Sequence, residues 1–142
     1  MARFVDLVAI EGPDKGMRWS VEEGAYRVIA RAEDERISTI QMTPDGDRAL
    51  DKEQAQLVDS WFQGRVTQTR RGFKKRGPDI ILQDGSVSRT HALVFVDKDG
   101  ASIVDLMSTN GTKVNDQPVR DVDVRPGDVV WVGKSKLAVE EG

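Results

Sequence analysis

Apolar and polar residues alternate over much of this chain with the two-residue period of a strand that buries one face. Met17-Arg18-Trp19-Ser20-Val21 shows the pattern cleanly. Before it, Phe4-Val5-Asp6-Leu7-Val8-Ala9-Ile10 is apolar and β-rich, and Gly12-Pro13-Asp14-Lys15-Gly16 supplies turn residues at nearly every position. Glu22-Glu23-Gly24 is the next turn and Tyr26-Arg27-Val28-Ile29-Ala30-Arg31 a third strand, so the first third predicts two adjacent hairpins. Strand chemistry returns at Asp79-Ile80-Ile81-Leu82. Ala92-Leu93-Val94-Phe95-Val96 is an unbroken apolar run, and Asp97-Lys98-Asp99-Gly100 turns it into Ala101-Ser102-Ile103-Val104-Asp105. Asn110-Gly111 and Asn115-Asp116 are further turn sites, the first with the residues of a tight hairpin. Val129-Val130-Trp131-Val132 and Lys136-Leu137-Ala138-Val139 close the chain as two strands across Gly133.

Between residues 32 and 78 the period changes. Pro44-Asp45-Gly46-Asp47 is a turn, after which Leu50, Leu57 and Trp61 fall at i, i+7 and i+11. Val58 and Phe62 lie on the same stripe. Asp51 suits an N-cap with Gln54 three residues on as its capping-box partner, and Gly64 suits the stop. The spacing predicts a helix at about 51–63 and an exposed basic loop at about 64–78. Many short strands, turns every eight to twelve residues and one helical insert indicate an all-β sandwich.

Composition narrows function more than fold. At 142 residues the chain predicts one domain with a core of its own. The absence of cysteine excludes disulfides, thiol catalysis, iron–sulfur clusters and cysteine-bound zinc, and one histidine excludes a multi-histidine metal site. No cofactor or metal is expected. No apolar run approaches the roughly 20 residues of a membrane span, and the first twenty residues lack a signal pattern. The expectation is a cytoplasmic protein without a membrane partner. The net charge of −3 hides an asymmetry. Residues 60–78 hold Arg65, Arg70, Arg71, Lys74, Lys75 and Arg76 with no acid, leaving an acidic surplus elsewhere.

Three polar clusters stand in the turns, where binding groups are usually displayed. They are Arg31, then Ser86-Val87-Ser88-Arg89-Thr90-His91, then Ser108-Thr109-Asn110-Gly111-Thr112-Lys113-Val114-Asn115. Guanidinium, hydroxyl and carboxamide donors in such a set suit an oxyanion, although turns also favour Ser, Asn and Gly for purely structural reasons. A Ser88–His91–Asp105 triad is not expected from nearness in sequence alone, because a triad needs an oriented base and an oxyanion hole. Trp19, Trp61 and Trp131 read as core fillers rather than a ligand cage.

Ser88-Arg89-x-His91, followed by Asp105-Leu106-x-Ser108-Thr109-Asn110-Gly111-Thr112-x-Val114-Asn115, closely resembles the forkhead-associated (FHA) domain, a phosphothreonine-peptide reader. Pro126-Gly127-Asp128-Val129-Val130 with Gly133, and a strand ending in Ile29-Ala30-Arg31, look like the same family. The resemblance covers about 3–31 and 79–140. It implies an FHA-like (SMAD/FHA) antiparallel sandwich of about 10–11 strands, with Arg31 and Ser88 on the phosphate and Thr109 completing that pocket. Arg89 and Asn110 would hold the peptide main chain or assist at the phosphate. His91 would brace the loop from beneath, and Gly111 would permit the turn. Loop residues around 83–87 and 106–108 would touch the residue after the phosphothreonine.

Two departures stand out. Ala30 occupies the family's usual glycine position, and its methyl limits backbone room before Arg31. Arg31 and Asp79 are 48 positions apart where the family uses a few, so 1–142 reads as one FHA-like domain with an insertion at about 32–78 whose ends both emerge beside the pocket. The helix must cover its stripe on the sandwich or on a partner. The basic segment reads as a solvated loop, an extension of the positive field around the site, a nucleic-acid contact, or a docking element. Nucleic acid is the least expected of the ligands.

The resulting expectation is a non-enzymatic signalling module that binds a phosphothreonine protein or peptide and recruits a Ser/Thr protein kinase or its substrate. The alternative is an FHA-fold interaction module that works through its helical, basic insertion independently of phosphate.

Overall fold

The computed structural model describes residues 4–32, 50–64, 75–97 and 100–142. Among them twelve strands form two sheets. The first sheet holds β1 (Phe4–Glu11), β2 (Arg18–Glu22), β8 (Thr112–Val114), β9 (Gln117–Val119), β11 (Val129–Val132) and β12 (Ser135–Glu141), in the order β2-β1-β12-β11-β8-β9. The second holds β3 (Ala25–Arg31), β4 (Lys75–Arg76), β5 (Ile80–Leu82), β6 (Ala92–Asp97), β7 (Gly100–Asp105) and β10 (Asp121–Val124). Its order is β10-β7-β6-β3-β4, with β5 also on β3. Pairing is antiparallel except that β4 and β5 run parallel to β3, a departure from the all-antiparallel expectation.

Alternation is cleanest where one face is wet. In β12 every second residue, from Ser135 through Leu137 and Val139, is buried, and Leu137 and Val139 pack between the sheets with Leu7, Val130, Ile29, Val94 and Ile103. The unbroken run in β6 has a different cause. Ala92, Val94 and Val96 face the inter-sheet core, whereas Leu93 and Phe95 join Val28, Val104 and Leu106 in a second cluster. Val58 of helix α1 (Lys52–Gly64) and Leu50 just before it pack on that cluster. A strand covered on both faces has no polar alternation to show. Leu50 and Val58 of the helix stripe are therefore covered by the sandwich itself, and the side chains of Trp61 and Phe62 lie outside the described residues.

Several sequence expectations need correction. Strands β2 and β3 are not a hairpin: β2 pairs with β1, and the Glu23-Gly24 turn carries the chain into the other sheet. The reason lies in β3, where Val28, Ile29 and Ala30 are all buried, which requires a place inside a sheet with both faces covered. Asn110-Gly111 does not close a hairpin. Asn115-Asp116 does, joining β8 to β9 with φ of 49° and 70° at the two turn residues. The segment 64–78 is not all exposed loop, since Lys75–Arg76 forms β4 and the Gly77 N–H donates to the Tyr26 carbonyl at 2.8 Å. Arg65, Arg70, Arg71 and Lys74 lie outside the described residues. Strand β4 pairs with Ala25 and Tyr26, at the end of β3 remote from Arg31, so only the exit at residue 32 lies beside the expected pocket.

The tryptophans divide. Trp19 packs against the inter-sheet core, as expected. Trp131 does not: it is half-buried on the outer face of β11, with the Lys136 Nζ 5.0 Å from its ring centroid. Val130 and Val132 take the inward positions beside it. The side chain of Trp61 lies outside the described residues.

Candidate functional site

Three chain segments meet at one end of the sandwich: the end of β3, the loop 83–91 between β5 and β6, and the loop 106–111 between β7 and β8. Main-chain bonds hold them in register. The Arg31 N–H donates to the Ser88 carbonyl at 3.1 Å, and the His91 N–H to the Ile29 carbonyl at 2.8 Å. The Leu106 N–H donates to the His91 carbonyl at 2.9 Å. Ala30 is fully buried and pairs with Ile81, so its methyl is accommodated without breaking the strand before Arg31.

Side chains then join the two loops. The Thr109 N–H donates to Ser88 Oγ at 3.0 Å, and Asn110 Nδ2 donates to the Ser86 carbonyl at 2.7 Å. With its oxygen accepting from Thr109, the Ser88 hydroxyl keeps its own hydrogen to donate. Ser88 and Arg31 are half-buried, whereas Arg89, Thr109 and Asn110 are exposed. Among the described residues the Arg31 guanidinium has no hydrogen-bond or ion-pair partner. All five predicted binding residues are thus carried by these three segments.

Beneath them His91 is fully buried. Its Nδ1 accepts from the Ser88 N–H at 3.0 Å, which leaves Nε2 protonated to donate to the Gly111 carbonyl at 2.9 Å. The neutral ring is the form these bonds require. Burial pushes its pKa below the ordinary histidine value, against the opposing pull of the Gly111 carbonyl, Asp105 and Asp84. Gly111 has φ of 79°, a conformation open to glycine. Ser88, His91 and Asp105 form no triad. His91 meets the Ser88 main chain rather than its hydroxyl, and the Asp105 carboxylate accepts from Ser108 and from Thr112 Oγ1.

Sequence reasoning missed the groups that hold this arrangement. Asp84 is buried and accepts from the Ser86 N–H (2.8 Å), Ser86 Oγ (2.6 Å), the Lys134 N–H (3.0 Å) and Ser135 Oγ (2.9 Å). Burial alone raises its pKa, but these four bonds outweigh it and hold the carboxyl below the ordinary aspartate range. Asp84 thereby ties the loop 83–91 to the β11–β12 turn. Asp14 reaches the same loop, its Oδ2 accepting from the Gln83 N–H at 2.7 Å. Gln54 of α1 was legible only as a capping-box partner. An Asp–x–Ser turn after a strand was the one available signal for Asp84. A cavity of 320 Å³ adjoins Asn110 and Gly111 and continues along Lys113, Asp116, Trp131 and Gly133. Among the described residues no cluster of His, Cys, Asp or Glu could hold a metal ion, and no helix is long and apolar enough to cross a membrane.

The family model for the FHA domain matches residues 64–133, which takes in both loops from β5 to β11. The chain contains an FHA domain. FHA domain-containing protein FhaA of Mycobacterium tuberculosis is 41% identical over 80 residues, 54% of this chain and 15% of that protein. Glycogen accumulation regulator GarA of the same organism is 41% identical over 64 residues, 45% of this chain and 40% of GarA. The oxoglutarate dehydrogenase inhibitor of Corynebacterium diphtheriae is 45% identical over 65 residues, 45% of each chain. The match spans less than half the length of each of these relatives. The crystal structure of the FhaA FHA domain, complexed with the intracellular domain of another protein, superposes with a TM-score of 0.58. It covers 96% of this chain and 99% of that one at 24% identity. The FHA domain of a Chlamydia trachomatis protein gives 0.60 at 19% identity, covering 99% and 98%. At these identities the superpositions speak for the fold, an FHA sandwich. Arg31 lies outside the stretch matched by the family model, and its place in the site rests on the bond to Ser88.

Proposed function

We propose that this FHA domain binds phosphothreonine proteins or peptides, with Arg31 and Ser88 on the phosphate, Thr109 completing the pocket, and Arg89 and Asn110 on the peptide main chain. The observation that carries the reading is the Ser88 hydroxyl. Its oxygen is occupied by the Thr109 N–H while its hydrogen remains to donate, one strand end away from an Arg31 guanidinium with no partner among the described residues. A phosphate of about −1.5 to −2 charges is held well by one guanidinium and a set of oriented donors. On this reading His91, bonded to the Ser88 and Gly111 main chains, braces the loops of a binding module. Relatives described as a regulator and an enzyme inhibitor support a role in signalling. Recruitment of a Ser/Thr protein kinase or its substrate, in the cytoplasm, is the form proposed for that role.

Calorimetric titration of the chain with a phosphothreonine peptide library tests this. Binding is expected with dissociation constants of about 100 μM or tighter, equivalent to roughly −5 to −6 kcal/mol or better. Equal heats from phosphorylated and unphosphorylated peptides would sink the reading.

A further inference from the structure

One buried side chain of helix α1 bonds both loops of the site. Gln54 is 8% exposed. Its Nε2 donates to the Thr90 hydroxyl at 2.7 Å and to the Leu106 carbonyl at 3.0 Å, with the Thr90 carbonyl at 3.3 Å. Its Oε1 accepts from the Thr90 hydroxyl at 3.0 Å and from the Asp51 N–H at 3.1 Å. Thr90 belongs to the loop that carries Ser88 and Arg89, and Leu106 opens the loop that carries Thr109 and Asn110. Both are buried, so the amide grips the loops from within the fold while the candidate binding groups face outward.

Gln54 is itself held. Its N–H donates to Asp51 Oδ1 at 2.8 Å, completing a reciprocal capping box at the start of α1. Leu50 and Val58, on either side of it along the chain, pack on Val28, Leu93, Phe95, Val104 and Leu106. The carboxamide position is therefore set by the helix, and the carboxamide ties each loop to that helix beside the direct bonds between the loops. Without it the Leu106 carbonyl loses its only donor among the described bonds, in surroundings where an unpaired polar group is costly.

We propose that Gln54 is a positioning residue for the phosphothreonine site, acting through Thr90 and Leu106 to fix the Thr109 N–H to Ser88 Oγ bond that spans the loops. The ligand half of this rests on the reading above; the brace itself does not depend on any ligand. Helix α1 is on this view a working part of the site.

The test uses the full chain with Gln54→Ala, with Gln54→Met, which keeps the volume and removes the bonds, and with Val58→Ala, which weakens helix packing but touches neither loop's bonds. Two readouts are taken: amide hydrogen exchange at Thr109 and Ser88 by NMR, and titration with a phosphothreonine peptide that the wild type binds. Both Gln54 variants are expected to speed exchange at Thr109 and to weaken the peptide by about tenfold, the scale of one well-placed hydrogen bond. Val58→Ala is expected to lower the unfolding midpoint without either effect. Wild-type exchange at Thr109 in Gln54→Met overturns the brace, and so does Val58→Ala if it reproduces both effects. Faster exchange with unchanged peptide affinity overturns the positioning role and leaves the phosphothreonine reading intact. If no phosphothreonine peptide binds the wild type, that reading and the positioning role fall together, and exchange alone decides the brace.

Discussion

Arg31 and Ser88 carry different burdens from His91, although all three stand within the same few ångströms of chain. Arg31 and Ser88 are only half-buried and belong to neither apolar cluster, so removing either side chain leaves the interior nearly as it was. Arg31→Ala and Ser88→Ala are each expected to weaken phosphothreonine binding by about 1.5–3 kcal/mol, the range of a hydrogen bond to a charged group. Their melting temperatures should stay close to wild type. Calorimetry on the two variants, with a thermal melt of each, checks both halves; loss of binding accompanied by unfolding would assign them to structure instead. That Arg31, Ser88, Thr109 and Asn110 stand at a strand end and in loops was legible in sequence, because short loop motifs carry their own spacing; their part in binding is the proposal made above. The loop contacts of Asp84 and Gln54 were not legible, because each bonds to residues dozens of positions away: Asp84 to Lys134 and Ser135, Gln54 to Thr90 and Leu106.

At the scale of elements, local signals succeeded where local chemistry decides and failed where packing does. The Asp51–Gln54 capping box and the helix after it stood in the sequence, since both partners lie within one turn. The second hairpin did not exist, because β3 is covered on both faces and a two-stranded ribbon cannot provide that. The β11–β12 turn shows how one element positions another. Gly133 has φ of 59°, and a Cβ there would come within 2.5 Å of Ser86 Oγ and 2.9 Å of the Ser86 carbonyl carbon. Ser86 in turn accepts from Asn110 through its carbonyl. Gly133→Ala is expected to cost about 1–3 kcal/mol of stability through overpacking. It should also shift the Asn110 side-chain amide resonance, because the clash is with the segment that holds it. An unshifted Asn110 signal would show that the turn yields without moving the loop.

For the molecule as a whole, stability should depend on pH through His91, the only histidine in the chain. Its pKa is depressed in the fold, so below about 6.5 the unfolded chain takes up a proton that the native ring refuses. The unfolded state then binds more protons, and unfolding free energy falls with pH from there toward the depressed folded value. Asp84 adds a second loss only below the ordinary aspartate range near 3.8, as its carboxylate is held ionised in the fold. Urea midpoints measured from pH 8 to pH 5 should be level above about 7 and decline below it. A flat profile across pH 7.5 to 5.5 would mean that the ring is protonated without cost and that its two bonds are not as described. The amino-acid sequence by itself determined the β character, the loop chemistry and the FHA resemblance, because alternation, turn residues and motif spacing are properties of neighbours in the chain. Only the tertiary structure decided which sheet each strand enters, that helix α1 covers the outer face of β6, and that Gln54 and Asp84 bond the loops around Ser88. Those outcomes come from burying apolar faces and pairing polar groups between segments far apart in sequence, where no local pattern records the partner.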